Sequence, residues 1–219
     1  SPIPLLAPVI RIRRRILITG ASSGIGLEAA KLLLARGDEL TLLCRNKGRA
    51  DQTRAALTDS VQTCIADLAD LTSIAKVIEE IRQDQEPFDA LVLNAGVQYA
   101  GHGSPRWSAQ GIELTIAVNH LAHQLLLEGL QEHTRALVIT ASEVHNPLTG
   151  GGRVGQPAGL GTMEGLRQSP GAEMVDGVSP FNADKAYKDS KLCNLLMALE
   201  VSRQRPDLPV VAWSPGLVI

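Results

Sequence analysis

Short apolar runs alternate with longer stretches of helical periodicity along this sequence, and this alternation restricts the fold more than any other feature. The apolar runs cover residues 16–19, 40–44, 61–66, 90–93, 136–140 and 210–213. The helical stretches cover residues 25–36, 47–57, 71–84, 110–131 and 183–204. Because most of the runs are almost continuously apolar, they are typical of strands covered on both faces. The order predicts an α/β fold with a doubly wound, mostly parallel sheet between two layers of helices.

Composition limits the function classes. The 219 residues fit one domain spanning 1–219, and 44% hydrophobic with 20% charged residues is an ordinary balance for a soluble protein. A net charge of −2 argues against a nucleic-acid partner. Three cysteines without metal-ligand spacing indicate reduced thiols and a cytoplasmic protein. His120 and His123 lack a third ligand, so we expect no metal and assign them to helix packing or a surface role.

The beginning of the chain carries four arginines close together, Arg11, Arg13, Arg14 and Arg15. The simpler interpretation is a solvated approach to the first strand. A peripheral contact with an anionic membrane surface is the alternative. The apolar residues 1–10 are too few to span a bilayer.

Residues 143–182 interrupt the alternation with a Gly- and Pro-rich stretch that has no clear period. Irregular segments of this length inside a domain are usually functional loops or disordered, so we expect an insertion that acts as a lid or binding loop. The sequence ends at Ile219, directly after the sixth run. A doubly wound sheet usually continues further, and we therefore expect its C-terminal part to be missing.

A glycine-rich turn follows the first predicted strand and opens the first predicted helix. Glycines in this context let the backbone approach a pyrophosphate, which rests on the free N–H groups of the helix N-terminus. The turn predicts a Rossmann fold that binds a dinucleotide. The expected contacts come from Gly20, Ser22, Ser23, Gly24, Ile25 and Gly26.

The end of the second predicted strand selects the cofactor. An NAD site places a carboxylate there for the ribose hydroxyls, whereas this sequence has Arg45 followed by Asn46. A guanidinium matches a 2′-phosphate in charge and geometry. We therefore predict NADP(H), with a surface arginine at a strand end as the alternative.

These features, taken together, resemble the short-chain dehydrogenase/reductase family over nearly the whole chain. The resemblance is carried by ordered motifs: TGASSGIG, Asp67-Leu68, Asn94-Ala95-Gly96, Asn119, Ser142, Tyr187 with Lys191, and Pro215-Gly216. It implies that Asp67 and Leu68 contact the adenine, and that Asn94, Ala95, Gly96, Pro215 and Gly216 pack against the cofactor. It also implies a catalytic set of Asn119, Ser142, Tyr187 and Lys191.

The chemistry of reduction explains these residue types. A hydride from NADPH must be matched by a proton from an acid, and an ammonium near a tyrosine lowers its pKa. Tyr187 and Lys191 lie four residues apart, on one face of a helix. Ser142 can bind the substrate oxygen. By resemblance, Lys191 also contacts the nicotinamide ribose and Asn119 holds a water.

Two branches of the family share features with this sequence. The segment AYKDSKLCN and the insertion before it are similar to light-dependent protochlorophyllide reductases. Those enzymes place a cysteine where this chain has Leu217, and residues 142–145 look more like retinol-dehydrogenase-like members. We expect a thermal reductase or dehydrogenase of a large apolar carbonyl or alcohol. A photoenzyme is the first alternative and a non-catalytic NADP(H)-binding protein the second. A homo-oligomer is left open.

Overall fold

The six apolar runs form one parallel sheet in the computed structural model, which describes residues 13–84, 86–167 and 171–216. The strands are β1 Arg15–Thr19, β2 Glu39–Cys44, β3 Gln62–Ile65, β4 Ala90–Leu93, β5 Leu137–Thr140 and β6 Val210–Trp213. Their order in the sheet is β3-β2-β1-β4-β5-β6, and every pair is parallel. The doubly wound Rossmann architecture is thereby confirmed.

The helices connect consecutive strands. They are α1 Gly24–Ala35, α2 Lys47–Ala56, α3 Leu71–Arg82, α4 Leu114–Ile116, α5 Ala122–Leu130, α6 Glu164–Arg167 and α7 Ala183–Gln204. A π-helical turn, Ala117–Leu121, joins α4 to α5 without a break. Two 3₁₀ turns, Gln131–His133 and Glu143–His145, flank β5.

Alternate residues of the central strand face two separate hydrophobic clusters. In β1, Leu17 packs with the residues of α3 and α5 on one side of the sheet. Ile16 and Ile18 pack with residues of α1 and α2 on the other side. All three side chains are buried, which explains why residues 16–18 are apolar without alternation.

The order in which successive strands are added to the sheet changes direction between β1 and β4. β2 and β3 lie on one side of this pair, and β5 and β6 lie on the other. A crevice opens beyond the carboxyl ends of the strands at such a point, and ligands of open α/β sheets bind there.

The predicted helix over residues 110–131 is wrong at its beginning, and its interior contains a π-helical turn that was not predicted. Gly111 has a φ of +70° and Glu113 caps α4 instead of extending it, so helix begins at Leu114. The side chain of Glu113 accepts hydrogen bonds from the N–H groups of Thr115 and Ile116. The π turn then adds a residue to the helical repeat, which the spacing of apolar residues does not reveal.

The arginines that precede β1 pair with acids at the amino end of the sheet. Arg13 contacts Glu39 at 3.1 Å, Arg14 contacts Asp38 at 2.9 Å, and Arg15 contacts Asp84. This pairing favours the simpler interpretation of the arginine run. Arg11 and Leu217 lie outside the described residues.

Candidate active site

A cleft of about 740 Å³ lies beyond the carboxyl ends of β1, β4 and β5. Its walls contain most of the residues that the sequence predicted for cofactor binding and catalysis. These are Gly20, Ser22, Ser23, Ile25, Gly26, Arg45, Asp67, Leu68, Asn94, Ala95, Gly96, Ser142, Tyr187, Lys191, Pro215 and Gly216. The volume is in the range of clefts that hold cofactors and small substrates.

The glycine turn forms a cradle that tolerates no side chain at its centre. A Cβ added to Gly26 would lie 2.2 Å from the carbonyl oxygen of Gly20. Gly20 itself has a φ of +71° and packs against the backbone of Ala95. At the helix N-terminus, Ser23 makes no side-chain capping bond and the first turn of α1 contains no acid. The N-terminus of α1 is therefore left open toward the cleft, where an anion can be bound.

Two guanidinium groups line the cleft at the end of β2. Arg45 follows the strand, and Arg49 lies in the first turn of α2. Neither side chain forms an ion pair or hydrogen bond within the part of the chain that the structure describes. Asn46 does not line the cleft, because its side chain caps α2 by accepting from the N–H of Arg49 at 2.9 Å. Arg49 was missed by the sequence reasoning, although the Asn46 cap signals a helix that turns its first residues toward this site.

The Asp67-Leu68 pair reaches the cleft from the end of β3. The carboxylate of Asp67 accepts a hydrogen bond from the N–H of Ala69 at 2.9 Å. This bond closes a tight turn that fixes Leu68 against the cleft wall, on the same side as Arg45.

Asn94 connects three strands below the glycine turn. Its Nδ2 donates to the carbonyl oxygens of Thr19 and Gly20, and its Oδ1 accepts from the hydroxyl of Thr140. The side-chain amide therefore holds the cradle against β4 and β5.

A buried imidazole links the glycine turn to the helix that carries Asn119. Nδ1 of His123 lies 3.0 Å from the carbonyl oxygen of Asn119, and Nε2 lies 2.9 Å from the hydroxyl oxygen of Thr19. Since a carbonyl only accepts, Nδ1 carries the proton and Nε2 accepts from the hydroxyl. Burial lowers the pKa of His123 to about 3, so the ring is neutral. The sequence assigned His123 to packing and gave no sign of this role.

Asn119 lies beneath the cleft wall and does not line the cleft. Its Oδ1 accepts from the N–H of Val97 at 2.7 Å, while its Nδ2 donates to Val97 O and to the hydroxyl of Ser190, each at 3.0 Å. The side chain thus joins the segment after β4 to α7.

Gly24 is also absent from the walls of the cleft. It begins α1 with a φ of +55°.

Tyr187 and Lys191 lie on the face of α7 that borders the cleft. Nζ of Lys191 is 5.5 Å from the ring centre of Tyr187 and donates to the carbonyl oxygen of Thr140 at 2.9 Å. Burial lowers the pKa of Lys191 to about 8. Burial raises the pKa of Tyr187 and a hydrogen bond with Ser142 opposes that rise, so the lowering expected from the ammonium of Lys191 is not found. At pH 7 the lysine is therefore mostly charged and the tyrosine retains its proton.

The cleft also contains apolar and aromatic side chains that the sequence reasoning did not single out. Three of them lie in loops without a period to reveal them, after β4 and beside Ser142, and two lie in α4 and the π-helical turn that follows it. They are Val97, Tyr99, Leu114, Val118 and Val144.

Within the described residues, no helix is long and apolar enough to cross a membrane.

Comparison with known proteins places the chain among dehydrogenases of one family. The family described as short chain dehydrogenase matches residues 14–144. Protochlorophyllide reductase of Avena sativa is 38% identical over 93% of this chain and 71% of its own length. Chloroplastic protochlorophyllide reductase A of Oryza sativa subsp. japonica is 37% identical over 86% of this chain and 53% of its own length. The chain thus spans only about half of the latter relative.

Solved structures agree with the fold. A short chain dehydrogenase from Escherichia coli CFT073, complexed with NADPH, superposes with a TM-score of 0.65. It is 24% identical, and the match covers 93% of this chain and 76% of that one. The family match, the curated relatives and the parallel sheet agree, and this chain belongs to the short-chain dehydrogenase family.

Proposed function

We propose that this protein is an NADP(H)-dependent oxidoreductase that transfers a hydride to or from a large apolar carbonyl, alcohol or conjugated substrate. The observation that carries the proposal is the common cleft. One end presents the glycine turn and two guanidinium groups that have no partner among the described residues, and the other presents Ser142, Tyr187 and Lys191.

The cleft fits the cofactor in shape and charge. The pyrophosphate would rest on the open N-terminus of α1, which has neither a side-chain cap nor an acid in its first turn. Arg45 and Arg49 would bind the 2′-phosphate, since no carboxylate takes their place at the end of β2. Asp67 and Leu68 lie where the adenine would be held.

Three side chains of this chain would handle the proton and the substrate oxygen. When bound, NADPH supplies the hydride. Tyr187 keeps its proton at neutral pH and can give it to the substrate oxygen. The charged Lys191, 5.5 Å from the ring centre, stabilises the phenolate that remains. Ser142 lines the cleft with Tyr187 and opposes the rise of the tyrosine pKa, so it lies where its hydroxyl can bind the same oxygen.

The substrate class follows from the lining of the cleft beside this group. Val97, Leu114, Val118 and Val144 provide apolar wall. A substrate with an extended apolar body would bury that surface, which favours binding by about 25 cal/mol for each Å² removed from water.

The proposal is tested by the turnover of all-trans-retinal with NADPH in darkness. Tyr187→Phe should lower kcat by at least about a hundredfold with little change in NADPH affinity, because the loss of a positioned acid typically costs that much. Tyr99→Phe is the matched control, since it removes the hydroxyl of the other tyrosine in the cleft and keeps the ring that stacks on Arg106. Equal losses in both variants, or none in Tyr187→Phe, would contradict the assignment.

A second candidate function, light-driven reduction of protochlorophyllide, is favoured by the curated relatives. The proteins at 37–38% identity described above bear that name. Against it, this chain has Leu217 in place of the cysteine of those enzymes. Incubation with NADPH and protochlorophyllide in light and in darkness separates the two functions. We expect weak or no photoreduction; robust product formation in light, with no dark turnover of any carbonyl, would reverse the order.

A further inference from the structure

Lys188 lies between the two residues proposed to move the proton, yet its side chain points away from the cleft into the insertion. It is only 4% exposed. Its ammonium donates to three backbone carbonyls, those of Gly152, Val154 and Gln156. An ammonium has three N–H donors, so all of them are used, and none of the partners in the described part of the chain is a carboxylate.

The segment that Lys188 holds is a tight, internally bonded turn. The hydroxyl of Thr149 donates to the carbonyls of Glu143 and Asn146 and accepts from the N–H of Gly152 at 3.1 Å. A Cβ on Gly152 would lie 1.8 Å from the carbonyl oxygen of Asn146, so the chain closes on itself here. These contacts tie residues 143–152 into one unit.

This unit forms part of the cleft wall. A Cβ on Gly151 would lie 3.0 Å from Cγ1 of Val144, which means that the turn backs directly onto this side chain. Val144 lines the cleft two residues after Ser142. A contact path thus runs from Lys188 through Gly152 and Gly151 to Val144.

We propose that Lys188 is a positioning residue for substrate specificity, fixing the Val144 wall relative to Tyr187 through its cage of three carbonyls. The expected effect of Lys188 on kinetics rests on the proposed function. The position of the Val144 side chain does not depend on catalysis and can be tested separately. Because Tyr187 and Lys188 are adjacent on α7, the reacting group and the wall it faces are held by the same helical turn. The lysine of the AYKDSK segment thereby acquires a role separate from proton transfer.

The experiment measures how readily a reagent in solution reaches position 144 in the cleft wall. Val144→Cys introduces a thiol at the cleft, and its rate of reaction with a disulfide reagent is compared with and without Lys188→Met. Methionine keeps the apolar stem and removes the three donors. Lys76→Met, at an exposed lysine without a partner in the described residues, is the control. We expect the thiol to react about fivefold faster or more with Lys188→Met, as local opening becomes more frequent, and unchanged with Lys76→Met.

The kinetic arm uses all-trans-retinal. KM for retinal should rise severalfold in Lys188→Met, while kcat and the Kd for NADPH stay within about twofold.

An unchanged rate of thiol reaction in a folded variant would overturn the proposal, and so would a parallel loss of NADPH affinity, which indicates general unfolding. If Lys188→Met does not fold, Lys188→Gln, which retains N–H donors, should give an intermediate thiol rate; a wild-type rate would contradict the proposal. Absence of retinal turnover in the wild-type enzyme would count against the proposed function and leave the thiol measurement decisive.

Discussion

The hydroxyl oxygen of Thr19 lies 2.9 Å from Nε2 of His123, and this contact joins the strand before the glycine turn to the helix that carries Asn119. The same oxygen accepts from the N–H groups of Asn94 and Ala95. The other ring nitrogen, Nδ1, donates a hydrogen bond to the carbonyl oxygen of Asn119. One neutral imidazole therefore connects the cofactor cradle to the proposed catalytic helices without touching the cleft.

Replacement of His123 by phenylalanine should be costly. The ring volume is kept, but the buried carbonyl oxygen of Asn119 loses the N–H of the ring, and the Thr19 hydroxyl loses its 2.9 Å acceptor. The Thr19 oxygen still accepts from Asn94 and Ala95, and its hydroxyl lies 3.5 Å from the carbonyl oxygen of Val92, so the free energy of unfolding should fall by about 1–3 kcal/mol. Urea unfolding measures this loss. His120→Phe, which removes one 3.2 Å contact with Asn194, should cost less; the reverse order would refute the role of the His123 link.

The residues that the sequence selected for the cofactor end lie together in one cleft, and they could be selected because the signals there are local. Gly20 and Gly26 are required by backbone approaches, and Arg45 follows its strand directly. Contacts that depend on packing between distant segments left no such sign. His123 and Thr19 are 104 residues apart, and nothing in either segment announces their hydrogen bond.

The face that α7 buries illustrates the same limit. The predicted helix over residues 183–204 matches α7, but two leucines of that helix, Leu196 and Leu199, are exposed at 46% and 59%. The buried face instead carries Lys191, Asn194 and Met197. Polar residues replace apolar ones on this face because it borders the cleft and Asn119, so hydrophobic periodicity alone selects the wrong side.

Lys191→Met should abolish turnover and yet stabilise the protein at neutral pH. Burial lowers the pKa of Lys191 from 10.5 to about 8, which costs the folded state roughly 3 kcal/mol whenever the lysine is charged in the unfolded chain. Losing the hydrogen bond to Thr140 O offsets about 1 kcal/mol of that gain.

The pH dependence distinguishes this cause from a packing effect. Between pH 8 and 10.5 the unfolded chain binds the proton more fully than the folded one, so wild-type stability rises with pH through that window. The advantage of Lys191→Met should therefore be fully present below pH 8 and shrink toward pH 10.5. A constant advantage in unfolding experiments across this range would point to packing instead.

Gly26→Ala should destroy the cofactor cradle. The new Cβ would lie 2.2 Å from Gly20 O and 2.6 Å from Nδ2 of Asn94, so backbone and strand contacts must shift. We expect a loss of about 1–3 kcal/mol in stability and at least about tenfold weaker NADPH binding, measured by fluorescence titration. Gly48→Ala is the matched control, because its nearest neighbour would be 3.6 Å away and alanine favours the helix. NADPH affinity equal in the two variants would argue against the cradle.

NADPH should bind at least about tenfold more tightly than NADH, which corresponds to about 1.4 kcal/mol from the added phosphate. Arg45 and Arg49 are the groups that can supply it, since both line the cleft and neither has an acidic partner among the described residues. Arg45→Asp should remove the preference by adding a carboxylate that repels the phosphate and accepts from ribose hydroxyls. Arg49→Gln should reduce this preference by a smaller factor, because the other guanidinium remains.

Raising the salt concentration should lower the ratio of NADPH affinity to NADH affinity in the wild-type protein, since exposed charges are screened. Titration of each variant with both cofactors measures these ratios. A preference retained in Arg45→Asp, or equal affinities in the wild-type protein, would move the phosphate site away from the end of β2.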